Sequence, residues 1–148
     1  MITIRKAGKQ DLDLLTDLFD RYRVFYNQPS DIAAARTFLK QRIENNESFI
    51  LVAEQANEIL GFTQLFPIFS SVRMTPCWLL NDLYVHAKAR RQGIAAKLLE
   101  AAREHGMQNN AGWLLLQTSS DNYSAQSVYE KNGWKKINDF FYELPLGR

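Results

Sequence analysis

The sequence contains one cysteine, Cys77, and only two histidines, His86 and His105. An internal disulfide is therefore excluded, and no Cys/His ligand set with zinc spacing can be assembled. Long apolar runs are also missing: uninterrupted stretches are a few residues, far below the roughly 18 to 20 needed to span a bilayer. Neither sign of charge dominates, since 18 Lys plus Arg stand against 16 Asp plus Glu for a net +2. The signs alternate along the chain, so composition does not advertise a nucleic-acid partner. The seven glycines never form G-x-G-x-x-G, and neither G-x-x-x-x-G-K-[ST] nor G-x-S-x-G occurs. These absences argue against a dinucleotide-binding oxidoreductase, a nucleotide triphosphatase and a serine hydrolase. Met1-Ile2-Thr3-Ile4-Arg5 alternates like a strand and lacks the charged start and apolar stretch of a secretory signal, so a cytoplasmic chain is expected.

What is present suffices for one domain over residues 1–148, with 46% apolar and 12% aromatic residues to build a core. Leu14, Leu15, Leu18, Phe19, Tyr22 and Tyr26 predict an amphipathic helix over 10–26, and Ile32, Ala35, Leu39 and Ile43 a second one capped by Ser30 or Asp31. Residues 48–53 and 58–68 read as an antiparallel hairpin, with Gly61 marking a candidate bulge, and 77–85 as a central strand after a loop at 69–75. A helix from Arg90 or Arg91 to Met107 leads to a buried strand at 113–118, which implies a parallel crossover. A short helix, 124–131, stops at Asn132-Gly133, and 134–136 with 140–144 suggest a closing hairpin. The economical architecture is mixed α/β: a mostly antiparallel sheet with a parallel crossover in its middle and helices on both faces.

The turn from the central strand into the long helix, His86-Ala87-Lys88-Ala89-Arg90-Arg91-Gln92-Gly93-Ile94-Ala95, is the most informative stretch. A helix N-terminus carries partial positive charge and unpaired N–H groups, so acidic side chains are favoured there. Here Lys88, Arg90 and Arg91 crowd that end, and no acidic residue follows until Glu100. Each misplaced cation costs a few tenths to about 1 kcal/mol unless a polyanion sits on the helix end. A phosphate-bearing ligand is the inference; a solvated basic turn is the plain alternative. Gly93 would let a ligand approach the backbone, and small Ala95 would leave the next N–H groups uncovered.

Arg90, Gly93 and Ala95 match the acyl-CoA motif of the GNAT superfamily of N-acetyltransferases, which is Arg or Gln, two residues, Gly, one residue, then Gly or Ala. The strand Leu80-Asn81-Asp82-Leu83-Tyr84-Val85 before it and the stretch from Asp121-Asn122-Tyr123 to Asn132-Gly133-Trp134 after it resemble that superfamily in order and spacing. The resemblance covers nearly the whole chain. It implies acetyl-CoA as acyl donor, with Arg90, Arg91 and the backbone of Gln92, Gly93, Ile94, Ala95 and Ala96 around its pyrophosphate. It further implies that Leu83, Tyr84 and Val85 face the pantetheine arm, joined by Asn122, Ala125 and Tyr129. No metal is implied.

Asn122 and Tyr129 are about two helical turns apart and share a face with Gln126. Acetyl transfer to an amine needs a neutral nucleophile, a polarised thioester carbonyl and a proton for the departing thiolate. A phenol ionises near 10 and a thiol near 8.5, so Tyr129 can protonate the leaving sulfur; its alternative role is core packing, and that of Asn122 a helix cap. A strand N–H near Val85 would polarise the carbonyl. Only roughly one alkylammonium in a thousand is neutral at pH 7, so a deprotonation route is required. Asp82 or Tyr84, on one face of the strand, could accept that proton directly or through water; alternatively Asp82 only bonds a neighbouring loop. Polyamine acetyltransferases of the superfamily often carry an acidic residue where this chain has Asn81.

Tyr22-Arg23-Val24-Phe25-Tyr26, Phe62 to Pro67 and Ser70-Ser71-Val72 look most like the subgroup holding yeast histone, polyamine and D-amino-acid acetyltransferases. By that likeness Tyr22, Phe25, Tyr26, Gln64 and Phe66, with Asn81, are candidate acceptor-pocket residues. The acceptor stays open between a small primary amine, preferred, and a lysine side chain. The expected activity is transfer of acetyl from acetyl-CoA; a CoA-binding sensor or scaffold without turnover is the alternative. Neither a nucleic acid nor a membrane is an expected partner, and a homodimer is expected from family habit and the apolar tail Phe140-Phe141-Tyr142-Glu143-Leu144.

Overall fold

The computed structural model describes all 148 residues. Its chain runs through β1 (Thr3–Lys6), α1 (Leu12–Phe25), α2 (Ile32–Glu44), β2 (Phe49–Gln55), β3 (Glu58–Ser70), β4 (Thr75–Val85), α3 (Ile94–Gln108), β5 (Leu114–Leu115) and α4 (Tyr123–Lys131). The strands lie in the order β1-β2-β3-β4-β5, antiparallel except for the β4–β5 pair. This is the expected mixed architecture. No helix is long and apolar enough to cross a membrane.

Alternation along β2 divides the core between two layers. Ile50 and Val52 point to α1 and α2, where they meet Leu15, Leu18, Phe19, Leu39 and Phe62. Leu51 and Ala53 point the other way, to Leu98, Leu99 and Ala102 of α3. The stripe on α1 is narrower than its apolar residues suggest, because Leu14 is 53% exposed while Leu15 and Leu18 are buried. Asp31 caps α2 by accepting the N–H of Ala34 at 3.0 Å. Asp20, buried on α1, accepts from the Ser30 hydroxyl and the Asp31 N–H, and so ties the α1–α2 loop to the end of α1 that faces the site.

The β2–β3 hairpin turns through Ala56 and Asn57, both left-handed. Leu60 has no partner on β2, because Gly61 pairs with Ala53 and Ile59 with Glu54. The bulge thus falls beside Gly61, as its position suggested. A Cβ on Gly61 would lie 3.1 Å from the Ile94 side chain and 3.1 Å from the Tyr84 carbonyl. A side chain there would push the first turn of α3 a few tenths of an ångström off the sheet.

Four expectations give way here. The third helix starts at Ile94 and not at Arg90 or Arg91, because Arg90 is extended and Arg91 and Gly93 are left-handed. The predicted loop at 69–75 shrinks to residues 71–74, because β3 and β4 extend to Ser70 and from Thr75 as a long two-stranded arm. The predicted strand 113–118 pairs only through Leu114 and Leu115, opposite Trp78 and Leu79. Finally, residues 134–136 and 140–144 form no hairpin: apart from Trp134 they find no layer to bury against, and Phe140, Tyr142 and Leu144 are each more than 80% exposed. A two-stranded ribbon without a covered face is not stable in water.

Candidate active site

The site begins with one extra residue in β4. Gln64 pairs with Asp82 and Leu65 with Leu80, which leaves Asn81 without a partner. Before this bulge Trp78 and Leu80 face α3; after it Leu83 and Val85 do. The change of phase sends Asp82 and Tyr84 to the α1 side, where Tyr84 packs in the other core layer. The parallel pairing of β4 with β5 ends one residue before Leu80. From there on the far edge of β4 has no strand beside it, so Leu83, Tyr84 and Val85 lie on an unpaired edge of the sheet.

Beyond β4 the chain makes a short 3-10 turn, Ala87–Ala89, that rests on its buried Ala89. Arg91 is left-handed at φ 65° and Gly93, the N-cap of α3, at φ 75°. Nothing lies within 4 Å of where a Gly93 side chain would start, and no side chain caps α3. The N–H groups of Gln92, Gly93, Ile94, Ala95 and Ala96 bond no acceptor in the chain, and the first intrahelical bond is Lys97 to Gly93. Such a row of free donors at a helix end is an anion cradle.

The three cations of the turn do not crowd it equally. Lys88 is held by Glu58 at 2.8 Å. Arg90 folds back, donating through Nε to the Val85 carbonyl at 3.2 Å, with its guanidinium 5.6 Å from the ring centres of Phe25 and Tyr84. Arg91 is exposed, with no side-chain partner within the chain. The acidic residue missing from the first turn stays missing, so the donors face no negative charge of the protein's own.

On the α1 side, Tyr22 gathers an aromatic cluster: its ring centre lies 5.2 Å from Tyr26, 5.6 Å from Phe62 and 5.8 Å from Tyr84. Phe25 adds contacts to Tyr26 and Tyr84. Tyr22, Phe25 and Tyr26, from the end of α1 and just past it, thereby share one wall with Tyr84 of β4. Phe66 joins no ring of this cluster. Gln64 is fully buried, so its side chain serves Asp82 and meets no acceptor.

Asp82 is 6% exposed. One carboxylate oxygen, Oδ1, accepts from the Tyr22 hydroxyl at 2.9 Å and from Asn81 Nδ2 at 3.1 Å; Oδ2 accepts from Gln64 Nε2 at 2.7 Å. Ser48 donates to Gln64 Oε1 at 2.7 Å, which sets the amide with its NH2 toward the carboxylate. Burial pushes the Asp82 carboxyl above the usual carboxylate range, and the three donors pull against it. Ser48 carried no signal in the sequence; only the cross-strand placement of Gln64 gives it a role.

On α4, Asn122 is the N-cap, accepting the Ala125 N–H at 3.2 Å, and Gln126 donates to the carbonyls of Ser119 and Ser120. The shared face of Asn122, Gln126 and Tyr129 is therefore partly spent on organising the helix itself. Tyr129 is half-buried against Trp134, whose ring centre is 6.2 Å away, and its hydroxyl bonds nothing in the chain. Gly133, left-handed at φ 90°, turns the chain so that the Trp134 N–H reaches the Tyr129 carbonyl at 3.1 Å. Burial raises the Tyr129 phenol above its ordinary pKa, with the Tyr26 phenol as a second cause. It is thus a protonated donor at neutral pH.

Comparison with known proteins agrees with this geometry. Residues 13–134 match the family model described as Acetyltransferase (GNAT) family. The "Uncharacterized N-acetyltransferase YhfO" of Bacillus subtilis (strain 168) is 46% identical over 141 residues, covering 95% of each chain. A "Probable acetyltransferase" of Haemophilus influenzae is 32% identical, covering 95% of this chain and 96% of its own. A crystal structure of a probable acetyltransferase superposes with a TM-score of 0.94 at 40% identity over 99% of both chains.

Proposed function

This chain belongs to the acetyltransferase (GNAT) family, and from that membership we propose that it transfers the acetyl group of acetyl-CoA directly to a primary amine. The acceptor is a small molecule of the polyamine or amino-acid kind in preference to a protein lysine. The observation that carries the reading is the row of unbonded N–H groups from Gln92 to Ala96, entered through left-handed Gly93 and free of acidic side chains. A diphosphate fits that donor set, and exposed Arg91 adds charge beside it.

Acetyl-CoA, when bound, supplies the acetyl group as a reactive thioester. The α3 N-terminus holds its phosphates, and the unpaired edge of β4 at Leu83, Tyr84 and Val85 runs beside its pantetheine arm. A free β4 N–H in that edge polarises the carbonyl without having to reorganise. Tyr129 gives its phenolic proton to the leaving sulfur. Tyr22, Phe25, Tyr26 and Tyr84 form the acceptor wall, whose apolar faces favour an alkyl chain bearing the amine. The likeness to the subgroup of yeast histone, polyamine and D-amino-acid acetyltransferases rests on Tyr22–Tyr26, Phe62–Pro67 and the Ser70-Ser71-Val72 loop alone, since the relatives above carry no acceptor in their names.

Following CoA release with a panel of small amines tests the reading: turnover is expected with at least one alkylamine. Tight acetyl-CoA binding with silence toward every amine would instead support a sensor. A homodimer belongs to the same proposal, supported by the exposed Phe140, Phe141, Tyr142, Leu144 and Leu146. Sedimentation is expected to give twice the 17.1 kDa chain mass; a monomer at micromolar concentration would remove the dimer without touching the chemistry.

A further inference from the structure

The acceptor must lose a proton, and the structure narrows where that proton can go. Asp82 is the carboxylate of the site, yet both its oxygens are occupied and it is 6% exposed, so an amine cannot reach it. Of the three side chains that bond it, Gln64 and Asn81 offer amide N–H groups, which do not exchange protons at useful rates. Gln64 is moreover fully buried and locked by Ser48. Tyr22 differs from both: its hydroxyl donates to Asp82 at 2.9 Å, its oxygen accepts from nothing in the chain, and its half-buried ring stands in the wall shared with Tyr26 and Tyr84.

Resting on the acetyltransferase reading above, we infer that Tyr22 takes the proton of the acceptor ammonium and passes its own hydroxyl proton to Asp82. The N–H bond of the ammonium breaks, leaving the lone pair on nitrogen, and a new O–H bond forms at Tyr22 Oη. In the same step the old Tyr22 O–H bond breaks and its proton bonds Asp82 Oδ1, which becomes a neutral acid. Charge is conserved: a cation and a carboxylate become a neutral amine and a carboxylic acid. The second proton that nitrogen loses on forming the amide balances the one Tyr129 gives to sulfur. Asp82 returns its proton by the reverse path after the product leaves.

The environment supports a concerted shift. Burial and the neighbouring Asp82 charge hold the Tyr22 phenol far above its ordinary pKa, so a free phenolate is not formed on the way. Burial raises the carboxyl of Asp82, which narrows its gap to an alkylammonium near 10.4. The other ionisable groups facing the pair are the phenols of Tyr26 just past α1, Tyr84 on β4 and Tyr129 on α4, with the Arg90 guanidinium beyond Tyr84. In this arrangement Tyr22 is catalytic and Gln64 and Ser48 are positioning residues.

Tyr22→Phe and Asp82→Asn test it on the whole chain, with the fastest alkylamine of the panel and with 2,2,2-trifluoroethylamine, which is neutral at pH 7. For the charged alkylamine, kcat/KM at pH 7 is expected to fall about 100-fold in each variant and to converge on the parent value as pH rises toward 10. For trifluoroethylamine the loss in each variant is expected to be at least about tenfold smaller than for the charged alkylamine and independent of pH. Calorimetric acetyl-CoA affinity should be unchanged, which separates a proton role from misfolding. Equal losses with both amines at all pH values, in variants that still bind acetyl-CoA, would overturn the relay. A parent protein silent toward every amine would overturn the acetyltransferase reading, and the relay with it.

Discussion

Replacing Tyr129 by Phe is expected to lower kcat about 100-fold or more while leaving acetyl-CoA affinity within about twofold. The phenol is half-buried, held protonated by its surroundings, and its hydroxyl has no partner in the chain. Removing it costs the ring nothing in packing, since Phe keeps the contact with Trp134. Under the proposed chemistry what is lost is one proton donor to a developing thiolate, an effect typically worth 10²–10⁴ in rate, or about 3 kcal/mol at the lower end. Stopped-flow or steady-state CoA release measures kcat, and calorimetry the affinity. Unchanged turnover would show that the sulfur leaves unprotonated or finds its proton elsewhere.

A second substitution is expected to move stability and binding in opposite directions. Ala95 lies in the first turn of α3 among N–H groups that no acceptor satisfies, and no acidic side chain lies there. Ala95→Asp places a carboxylate on the positive helix end, which should stabilise the unliganded fold by about 0.3–1 kcal/mol. In a chain of this length that is a rise in Tm of roughly 1–4 °C. The same carboxylate repels a diphosphate. Two like charges about 4 Å apart at an effective dielectric near 20 repel by about 4 kcal/mol, part of which the side chain avoids by turning away. A loss of about 100-fold in acetyl-CoA affinity is the expected result. Thermal melts and calorimetry read the two effects separately, and retention of tight binding by a stabilised variant would refute the α3 N-terminus as the diphosphate site.

The parts of this site that were legible in the sequence are those built from neighbours. Lys88, Arg90, Arg91, Gly93 and the delayed Glu100 lie within four helical turns, and their misfit with a helix N-terminus is local electrostatics. Even so, Lys88 turned out to be neutralised by Glu58 from the β2–β3 hairpin, and Arg90 to rest on Phe25 and Tyr84. Glu58 and Phe25 are far from the turn in sequence; only Tyr84 is near it. Asn122 illustrates the other direction: its helix-cap role follows from its position before α4, and the structure has it in that role.

Spacing set the buried stripe of α3 and most of those of α1 and α2, where Leu14, Tyr26 and Ile32 are instead about half exposed, and local backbone preferences set the β2–β3 hairpin and the left-handed stop at Asn132-Gly133. Tertiary structure alone decided where Asp82 points. A single unpaired residue at Asn81 reverses the alternation of β4, and that reversal brings Asp82 to Tyr22, 60 residues away. It also decided where β5 leaves β4 and that the tail forms no strands. The reason is common to all three: a strand's register, its bulges and its length are set by the hydrogen bonds and surfaces that other segments offer, and nothing in its own residues encodes those partners.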